Sequence, residues 1–311
     1  MANVTQLNPG TWQISLPFQG QYDIIGTYLI AGNNELALID PGPGSTIEAL
    51  LTSIRDAGFD PKEVTHLLVT HIHLDHAGSV GSLLHYMPKA KVYAHSKGVP
   101  HLVDTTKVLA SATRIYGGRM QELWGEIEPT PSERIQALEG GTVLNIAGRR
   151  LEVHYTPGHA IHHVIFFDVH SGELFAGDVA GVRLQKIDYV RPPTPPPDID
   201  LEAWNTSLDT LKKLRPDVLY IAHFGPTRNA AYHIEQLRKR LTKWGEIVLD
   251  AMRRGYDEQD LIPLFINNTQ YELERATTEP DAVQRYEIAA NYAMSVQGYM
   301  RYWQKKHPER L

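Results

Sequence analysis

The sequence contains no cysteine in its 311 residues. Disulfide bonds and thiolate metal ligands are therefore excluded. The chain also has no long block of basic residues, and acidic residues outnumber basic ones to give a net charge of −6. This charge balance argues against nucleic acid as a binding partner.

Long apolar runs are missing too, since no stretch reaches the roughly 20 residues that a membrane-spanning helix requires. The first residues, Met1-Ala2-Asn3-Val4, lack the basic and then apolar pattern of a secretory signal. We therefore expect a cytoplasmic protein without a membrane partner. The length of 311 residues allows one large domain with an appendage.

Residue types that bind metals are concentrated just after a short apolar run at residues 67–69, which predicts a buried strand. Four of them read His-x-His-x-Asp-His: His71, His73, Asp75 and His76. Three more follow apolar runs farther along the chain: His159, Asp178 and His223. Imidazole nitrogens and carboxylate oxygens suit zinc and related first-row metals. The pattern therefore predicts a metal site where strands end at the edge of a sheet.

The spacing predicts two metal ions. His71 and His73 are two residues apart, so in an extended segment they point the same way and bind one ion, which His159 completes. The second ion takes Asp75 and His76, together with His223, and the two carboxylate oxygens of Asp178 bridge both ions. Two such ions about 3.5–4 Å apart activate a hydroxide at neutral pH and polarise a carbonyl oxygen. We expect two Zn²⁺ per chain, and iron or manganese would fit the same ligands.

Asp75 has a predicted catalytic role besides metal binding. As a ligand beside the hydroxide, its carboxylate can orient the nucleophile and later carry the proton toward the leaving group. Nearby histidines are less clearly assigned. His154 is interpreted as part of the sheet, whereas His162 and His163 either hydrogen-bond a ligand or touch the substrate.

The His-x-His-x-Asp-His motif and the ligands downstream of it resemble the metallo-β-lactamase-fold metallohydrolases. The resemblance spans residues 10–226 and is nearest to the branch of glyoxalase II thioesterases and acyl-homoserine-lactone lactonases. It implies the α+β class, as an αββα metallo-β-lactamase-type sandwich with a C-terminal helical extension. It further implies a catalytic domain over residues 1–226 and an extension over residues 227–311 that covers the active site. Asp40 matches an aspartate that supports the metal loop in this family without binding metal.

Apolar periodicity predicts the secondary structure that accompanies the motif. Short apolar segments predict strands at residues 36–39, 67–69, 92–93, 164–167 and 218–221. Amphipathic segments predict helices at residues 47–57, 201–214, 230–254 and 280–303.

Two further segments stand out. Residues 97–135 form a mostly helical insertion, and the near-helical spacing of their apolar residues indicates packing; the alternative is a lid wall for an apolar acyl group. Residues 190–197 contain five prolines, which favours a stiff extended loop that passes near the metal edge.

The leading functional hypothesis is a dinuclear-metal hydrolase, a glyoxalase-II-like thioesterase in which a metal-bound hydroxide attacks a thioester or ester carbonyl of a small molecule. An acyl-homoserine-lactone-type lactonase is the first alternative. Such lactonases carry a tyrosine three residues after the bridging aspartate, where this chain has Gly181, so Tyr116 or Tyr189 would have to replace it. A mononuclear iron persulfide dioxygenase is the second alternative. Self-association of the chain is left open.

Overall fold

The computed structural model describes residues 3–311, and its strands belong to two β-sheets accompanied by many helices. The chain divides into two compact units. The first comprises the described residues up to Tyr155 together with His162–Gly177, and the second comprises Thr156–Ile161 and Asp178–Leu311. This division does not coincide with the boundary expected at residue 226, which stays a prediction.

A seven-stranded sheet forms the largest part of the first unit, with strands that are neighbours in chain order. Its strands are β1 (Val4–Asn8), β2 (Thr11–Phe18), β3 (Gln21–Gly32), β4 (Glu35–Ile39), β5 (Val64–Leu68), β6 (Lys91–His95) and β7 (Ile135–Leu138). The pairs from β1 to β4 are antiparallel, and those from β4 to β7 are parallel. Leu38 of β4 stands between Leu29 and Leu67 in this register, and all three are fully buried.

Four further strands of the first unit pair antiparallel in the order in which they occur in the chain. They are β8 (Val143–Ile146), β9 (Arg149–Tyr155), β10 (Val164–Asp168) and β11 (Glu173–Phe175). A buried polar network lies at their ends: Arg149 Nη1 is 3.1 Å from Asp168 Oδ2 and also contacts Glu173. The same guanidinium donates to the carbonyl of Gly10 and the hydroxyl of Thr11, which connects these strands to the turn between β1 and β2.

The helices of the first unit are α1 (Ile47–Asp56), α2 (Leu74–Ala77), α3 (Val80–Leu83), α4 (Val99–Val103), α5 (Thr106–Tyr116) and α6 (Met120–Trp124). The insertion is therefore largely helical, as predicted. It returns to β7, a strand that was not predicted, because β7 is only four residues long and two of these are exposed. The apolar residues of the insertion pack in the structure: the ring of Trp124 lies 5.0 Å from that of Tyr116 and 5.4 Å from that of Phe18 in β2.

The second unit contains α7 (Leu201–Leu214), β12 (Val218–Ile221), β13 (Gly225–Thr227), α8 (Ala230–Arg253), α9 (Glu258–Ala276), α10 (Ala282–Ala289) and α11 (Tyr292–Lys306). The predicted helix at 201–214 and strand at 218–221 are confirmed. The single helix predicted over 280–303 is wrong, because it is interrupted after Ala289. Asn291 there accepts a hydrogen bond from the amide of Met294, which caps a new helix. Among residues 3–311, no helix combines the length and the hydropathy that crossing a membrane requires.

Candidate metal centre

Histidine and aspartate side chains that could hold a metal ion occur in both units, and all seven predicted ligands belong to such groups. The first unit carries His71, His73, Asp75 and His76, and the second carries His159, Asp178 and His223.

The four ligands of the first unit surround the start of α2. Residues 69–73 follow β5 without regular structure, and α2 then begins at Leu74. Nε2 of His71 lies 3.0 Å from Nδ1 of His73, and the ring of His76 lies 4.1 Å from that of His71. Oδ2 of Asp75 is 3.5 Å from Nε2 of His76. The turn from strand to helix therefore gathers all four side chains, as the sequence spacing predicts.

Asp40 lies beneath this loop. Its Oδ1 accepts the amide of Thr70 at 2.8 Å, and its Oδ2 accepts the hydroxyl of Thr70 at 2.7 Å. Oδ2 also lies 3.0 Å from Nδ1 of His76. The backbone of Asp40 is in the left-handed region, with φ of 51°, which a non-glycine residue adopts at a cost and which is enriched at functional sites. These are the contacts that the predicted supporting role of Asp40 requires.

The hydrogen bonds assign which ring nitrogens carry lone pairs. Nδ1 of His76 donates to the carboxylate of Asp40, so Nε2 carries the lone pair of this ring. The single hydroxyl hydrogen of Thr70 goes to Asp40, so its oxygen accepts from Nδ1 of His71 at 3.1 Å. Nε2 of His71 is therefore also a lone-pair nitrogen, the form in which histidine binds a metal.

Asp178 lies between two histidines in the second unit. Its Oδ2 is 3.4 Å from Nε2 of His159, and its Oδ1 is 3.4 Å from Nε2 of His223. Nδ1 of His159 lies 2.9 Å from the carbonyl oxygen of Pro193 and donates to it, which leaves the lone pair on Nε2. One carboxylate oxygen thus faces each imidazole, the arrangement that a bridging ligand needs.

The distances within each set fit metal coordination. Two donor atoms bound to one tetrahedral zinc at about 2.0–2.1 Å are separated by about 3.3 Å. The four separations within the sets are between 3.0 and 3.5 Å. His71, His76, His159 and His223 are each only 1% exposed, and Asp178 is 4% exposed. Burying so many polar donor atoms is unfavourable in an apolar interior and is offset where they coordinate a metal.

Residues next to the first set include both undecided histidines. His162 accepts a hydrogen bond from the amide of Ile72 at 3.4 Å, and the ring of His163 stacks on that of His71 at 5.0 Å. Both belong to the surroundings of the ligand loop, and the alternative that one of them touches a substrate stays a prediction. His154 lies in β9 opposite Ile165, in agreement with a place in the sheet.

Tyr116, at the end of α5, lies on the Asp75 side of the loop. Its pKa is raised above the ordinary range, first by burial and then by the negative charge of Asp75. The other tyrosine considered, Tyr189, is fully buried beside Tyr286 in the second unit and does not supply an accessible hydroxyl. Tyr189 as a replacement for the lactonase tyrosine stays a prediction, which its burial disfavours.

Trp204 was not identified from the sequence, although it contacts the surroundings of two ligands. Its indole N–H donates to the carbonyl of Val179 at 2.8 Å, and its ring meets that of His159 edge-on at 5.5 Å. A Cβ on Gly158 would collide with Trp204, so the glycine before His159 allows the approach. The glycine was the available signal, but its partner in α7 is 46 residues farther along the chain.

Comparison with known proteins gives a family for this geometry. A family model described as "Metallo-beta-lactamase superfamily" matches residues 24–223. The metallo-beta-lactamase fold-containing protein ST1585 of Sulfurisphaera tokodaii is 31% identical over 65% of this chain and 74% of its own length. The atrochrysone carboxyl ACP thioesterase of Aspergillus fumigatus is 28% identical over 76% of this chain, which spans only 62% of that relative.

A solved structure extends the likeness to nearly the whole chain. The metallo-beta-lactamase family protein TTHA1429 of Thermus thermophilus matches 97% of this chain and 95% of its own chain, with a TM-score of 0.71 at 23% identity. At this identity the match shows the fold alone. Together with the family match, it confirms the predicted αββα type with a C-terminal helical region.

Proposed function

Because the chain belongs to the metallo-β-lactamase superfamily, we propose that it is a dinuclear-metal hydrolase that cleaves a thioester of a small molecule or a carrier-bound acyl group. The observation that carries the proposal is the placement of Asp178 between His159 and His223, with one carboxylate oxygen toward each. A carboxylate so placed serves two ions at once, whereas a single-ion site needs only one of its oxygens.

The proposed ligands divide as the sequence suggests. One ion would take His71, His73 and His159, the other would take Asp75, His76 and His223, and Asp178 would serve both. Gly177, the residue before Asp178, lies so close to Thr70, the residue before His71, that a Cβ on Gly177 would meet the threonine hydroxyl at 2.5 Å. Bound there, the two ions would supply a nucleophile from water at neutral pH and polarise the substrate carbonyl.

The chain's own groups define the remaining chemistry. The side chain of Asp75 is 22% exposed, whereas the other carboxylate ligand, Asp178, is nearly buried. Asp75 is therefore the carboxylate that can accept a proton from water and pass it to the leaving group. For a thioester, hydrolysis breaks the carbon–sulfur bond, and the departing sulfur receives that proton. Asp40 keeps the His76 imidazole in the tautomer that binds metal.

The thioester is favoured over the lactone by two observations. Relatives that align with this chain include one described as an atrochrysone carboxyl ACP thioesterase, of which the chain spans 62%. At Gly181 a Cβ would meet the side chain of Leu237 at 2.8 Å and the carbonyl of Arg191 at 3.0 Å, so a tyrosine at this position would be strained. The lactonase alternative then rests chiefly on Tyr116.

The test measures hydrolysis by purified, zinc-loaded protein of an acyl-N-acetylcysteamine thioester, S-lactoylglutathione and a long-chain acyl-homoserine lactone. We expect the first to be cleaved fastest. The Asp178→Asn variant should lose about 100-fold or more in rate together with zinc stoichiometry, because an amide cannot bridge two cations. Asp217→Asn, an exposed site, is the matched control.

Three outcomes would contradict the proposal. A preference for the lactone would move the chain to the lactonase alternative. Retention of two zinc ions and full rate by Asp178→Asn would remove the bridging role. Oxygen consumption with a persulfide substrate by protein purified with one iron per chain would favour the dioxygenase.

A further inference from the structure

Residues 182–197, called the strap below, run beside both histidines of the second unit's ligand set. The carbonyl oxygen of Pro193 accepts from Nδ1 of His159 at 2.9 Å. The backbone of Arg183 makes two hydrogen bonds beside His223. The amide of Arg183 donates to the carbonyl of His223 at 2.5 Å, and its carbonyl accepts from the amide of Phe224 at 3.1 Å. These contacts involve backbone atoms of the strap, so the path of its backbone determines how both histidines are held.

The strap is closed on itself at its base. Val182 and Arg191 form an antiparallel bridge, with backbone hydrogen bonds of 2.8 Å in each direction. The hydroxyl of Tyr286 in α10 then joins both arms, because it donates to the carbonyl of Tyr189 at 2.6 Å and accepts from the amide of Leu184 at 3.2 Å. The loop within the strap is thus tied to a C-terminal helix and not only to itself.

Arg191 attaches the strap to the C-terminal helices through a buried charge. Its side chain is fully buried, and a buried guanidinium is unfavourable unless its charge is compensated. Nη1 donates to the carbonyl of Ala290 at 3.0 Å and lies 3.4 Å from Glu287. The guanidinium also lies 4.0 Å from the ring centre of Tyr292, which provides a cation–π contact. All of these partners lie between the start of α10 and the start of α11.

The last helix also limits the position of the strap sterically. A Cβ on Gly298 of α11 would collide with the carbonyl of Thr194, the residue after Pro193. The hydroxyl of Thr194 donates to the carbonyl of Ser295 in the same helix at 3.4 Å. The strap and α11 are therefore in direct backbone contact one residue away from the carbonyl that orients His159.

We propose that the C-terminal helices set the metal affinity of the second unit's ligand set by fixing the strap, with Arg191 and Gly298 as positioning residues. This inference rests on the proposed metal-dependent function. It assigns the helices a task that differs from covering an active site, since they act on His159 and His223 through the strap backbone. A change in α11 should then alter metal binding by a histidine 139 residues away in sequence.

The test compares two glycine-to-alanine variants of the full-length protein. Gly298→Ala forces the strap away from α11. Gly245→Ala, in α8, is the matched control, because its Cβ would meet side chains outside the strap, those of Leu201 at 3.1 Å, Tyr299 at 3.3 Å and Trp303 at 3.5 Å, and no backbone atom of the strap. Both changes favour a helix by a similar amount, up to about 1 kcal/mol. Zinc affinity is measured by competition with a chromophoric chelator, and geometry by the visible absorption of the cobalt-substituted protein.

We expect Gly298→Ala to weaken the binding of at least one zinc ion by about 10-fold or more, as is typical when the partner of a ligating histidine is lost. Its cobalt spectrum should differ from that of the parent, and Gly245→Ala should match the parent in both. Equal affinities and spectra in the two variants would overturn the strap proposal, and the hydrolase would stand if the parent binds two zinc ions. A parent protein that binds no zinc would overturn both proposals.

Arg191→Met provides a second route if Gly298→Ala does not fold. Methionine keeps an apolar chain of similar length but removes the charge that Glu287 pairs with, so some stability is lost; Glu287 is one-third exposed, which limits that loss. We expect a variant that unfolds at a lower denaturant concentration than the parent, is folded in its absence, and has zinc affinity lowered by about 10-fold. Zinc affinity equal to the parent's in this folded variant would refute the positioning role of Arg191.

Discussion

At the scale of single residues, hydrogen-bond partners decide what the histidines can do. Asp40 is the main example, because it accepts from both the amide and the hydroxyl of Thr70 and from His76. The sequence predicted the residue types that bind metal and the supporting aspartate. It could not predict Thr70, Pro193 or Trp204 as their partners. A hydroxyl, a backbone carbonyl and an indole carry no pattern typical of a metal site. Pro193 and Trp204 are also distant along the chain from His159, the ligand that they contact.

Asp40→Asn should weaken metal binding while leaving the chain folded. The amide can still accept from Thr70, but it no longer offers His76 a charged acceptor, so the ring loses the partner that fixes its tautomer. We expect zinc affinity to fall by about 10- to 100-fold. Asp60→Asn, at an exposed turn where the carboxylate accepts the amide of Lys62, is the control. Chelator competition on both variants checks this, and equal affinities would contradict the supporting role.

His233 makes stability depend on pH. Burial lowers the pKa of its imidazole from 6.5 to about 4, although a hydrogen bond to the carbonyl of Ala180 opposes the shift. Because the unfolded chain takes up this proton at higher pH than the folded chain, stability is present above about pH 6.5 and is lost progressively toward pH 4. The loss attributable to this group is about 3 kcal/mol.

Urea unfolding at pH 7 and pH 4.5 tests this dependence. His233→Gln cannot titrate but can still donate to Ala180. Its stability should therefore fall by about 2–3 kcal/mol less than that of the parent between the two pH values. Parallel pH dependence of the parent and the variant would exclude His233 as the source.

At the scale of elements, periodicity located the amphipathic helices α7 and α8 and the fully buried strand β12. It failed where a short element is also partly exposed or where a local cap ends an element. The four residues of β7 carry too little pattern, and the break between α10 and α11 depends on one capping hydrogen bond by Asn291. The insertion was correctly predicted as helical because its apolar residues recur at helical spacing and pack in the structure.

The polar network at the start of β9 should be important for the first unit's stability. Arg149→Leu would leave the buried carboxylates of Asp168 and Glu173 without their cation, at a cost of about 3–5 kcal/mol. Arg150→Leu is the neighbouring control, since that side chain is largely exposed and should change stability by no more than about 0.5 kcal/mol. Chemical denaturation measures both, and equal losses would show that the network contributes little.

At the scale of the whole molecule, the motif and its spacing predicted the superfamily, while the lack of cysteine excluded thiolate ligands. The substrate was not predictable, because it depends on the side chains around the ligands and not on the ligands themselves. Which ligands share an ion likewise depends on contacts between segments that are distant along the chain. The sequence shows the ligands on those segments but not the contacts between them.

Metal removal should destabilise the folded chain as a whole. An ion that binds only the folded state stabilises it by about 4 kcal/mol when its free concentration is a thousandfold above the dissociation constant. Dialysis against a chelator should therefore lower the midpoint of thermal unfolding by several degrees, and added zinc should restore it. An unchanged midpoint after complete removal, verified by elemental analysis, would mean that the ligand sets bind no metal tightly.

The contact between α11 and the strap also has a consequence for synthesis on the ribosome. Chains are made from the N-terminus, so His159 and Pro193 emerge long before Gly298 and the helix that confines them. Until α11 is complete and docked, the carbonyl that orients His159 lacks the helix that confines it. We therefore expect the nascent chain to acquire a full-affinity metal site only after its last helix has been made, which would place metal loading at the end of biogenesis.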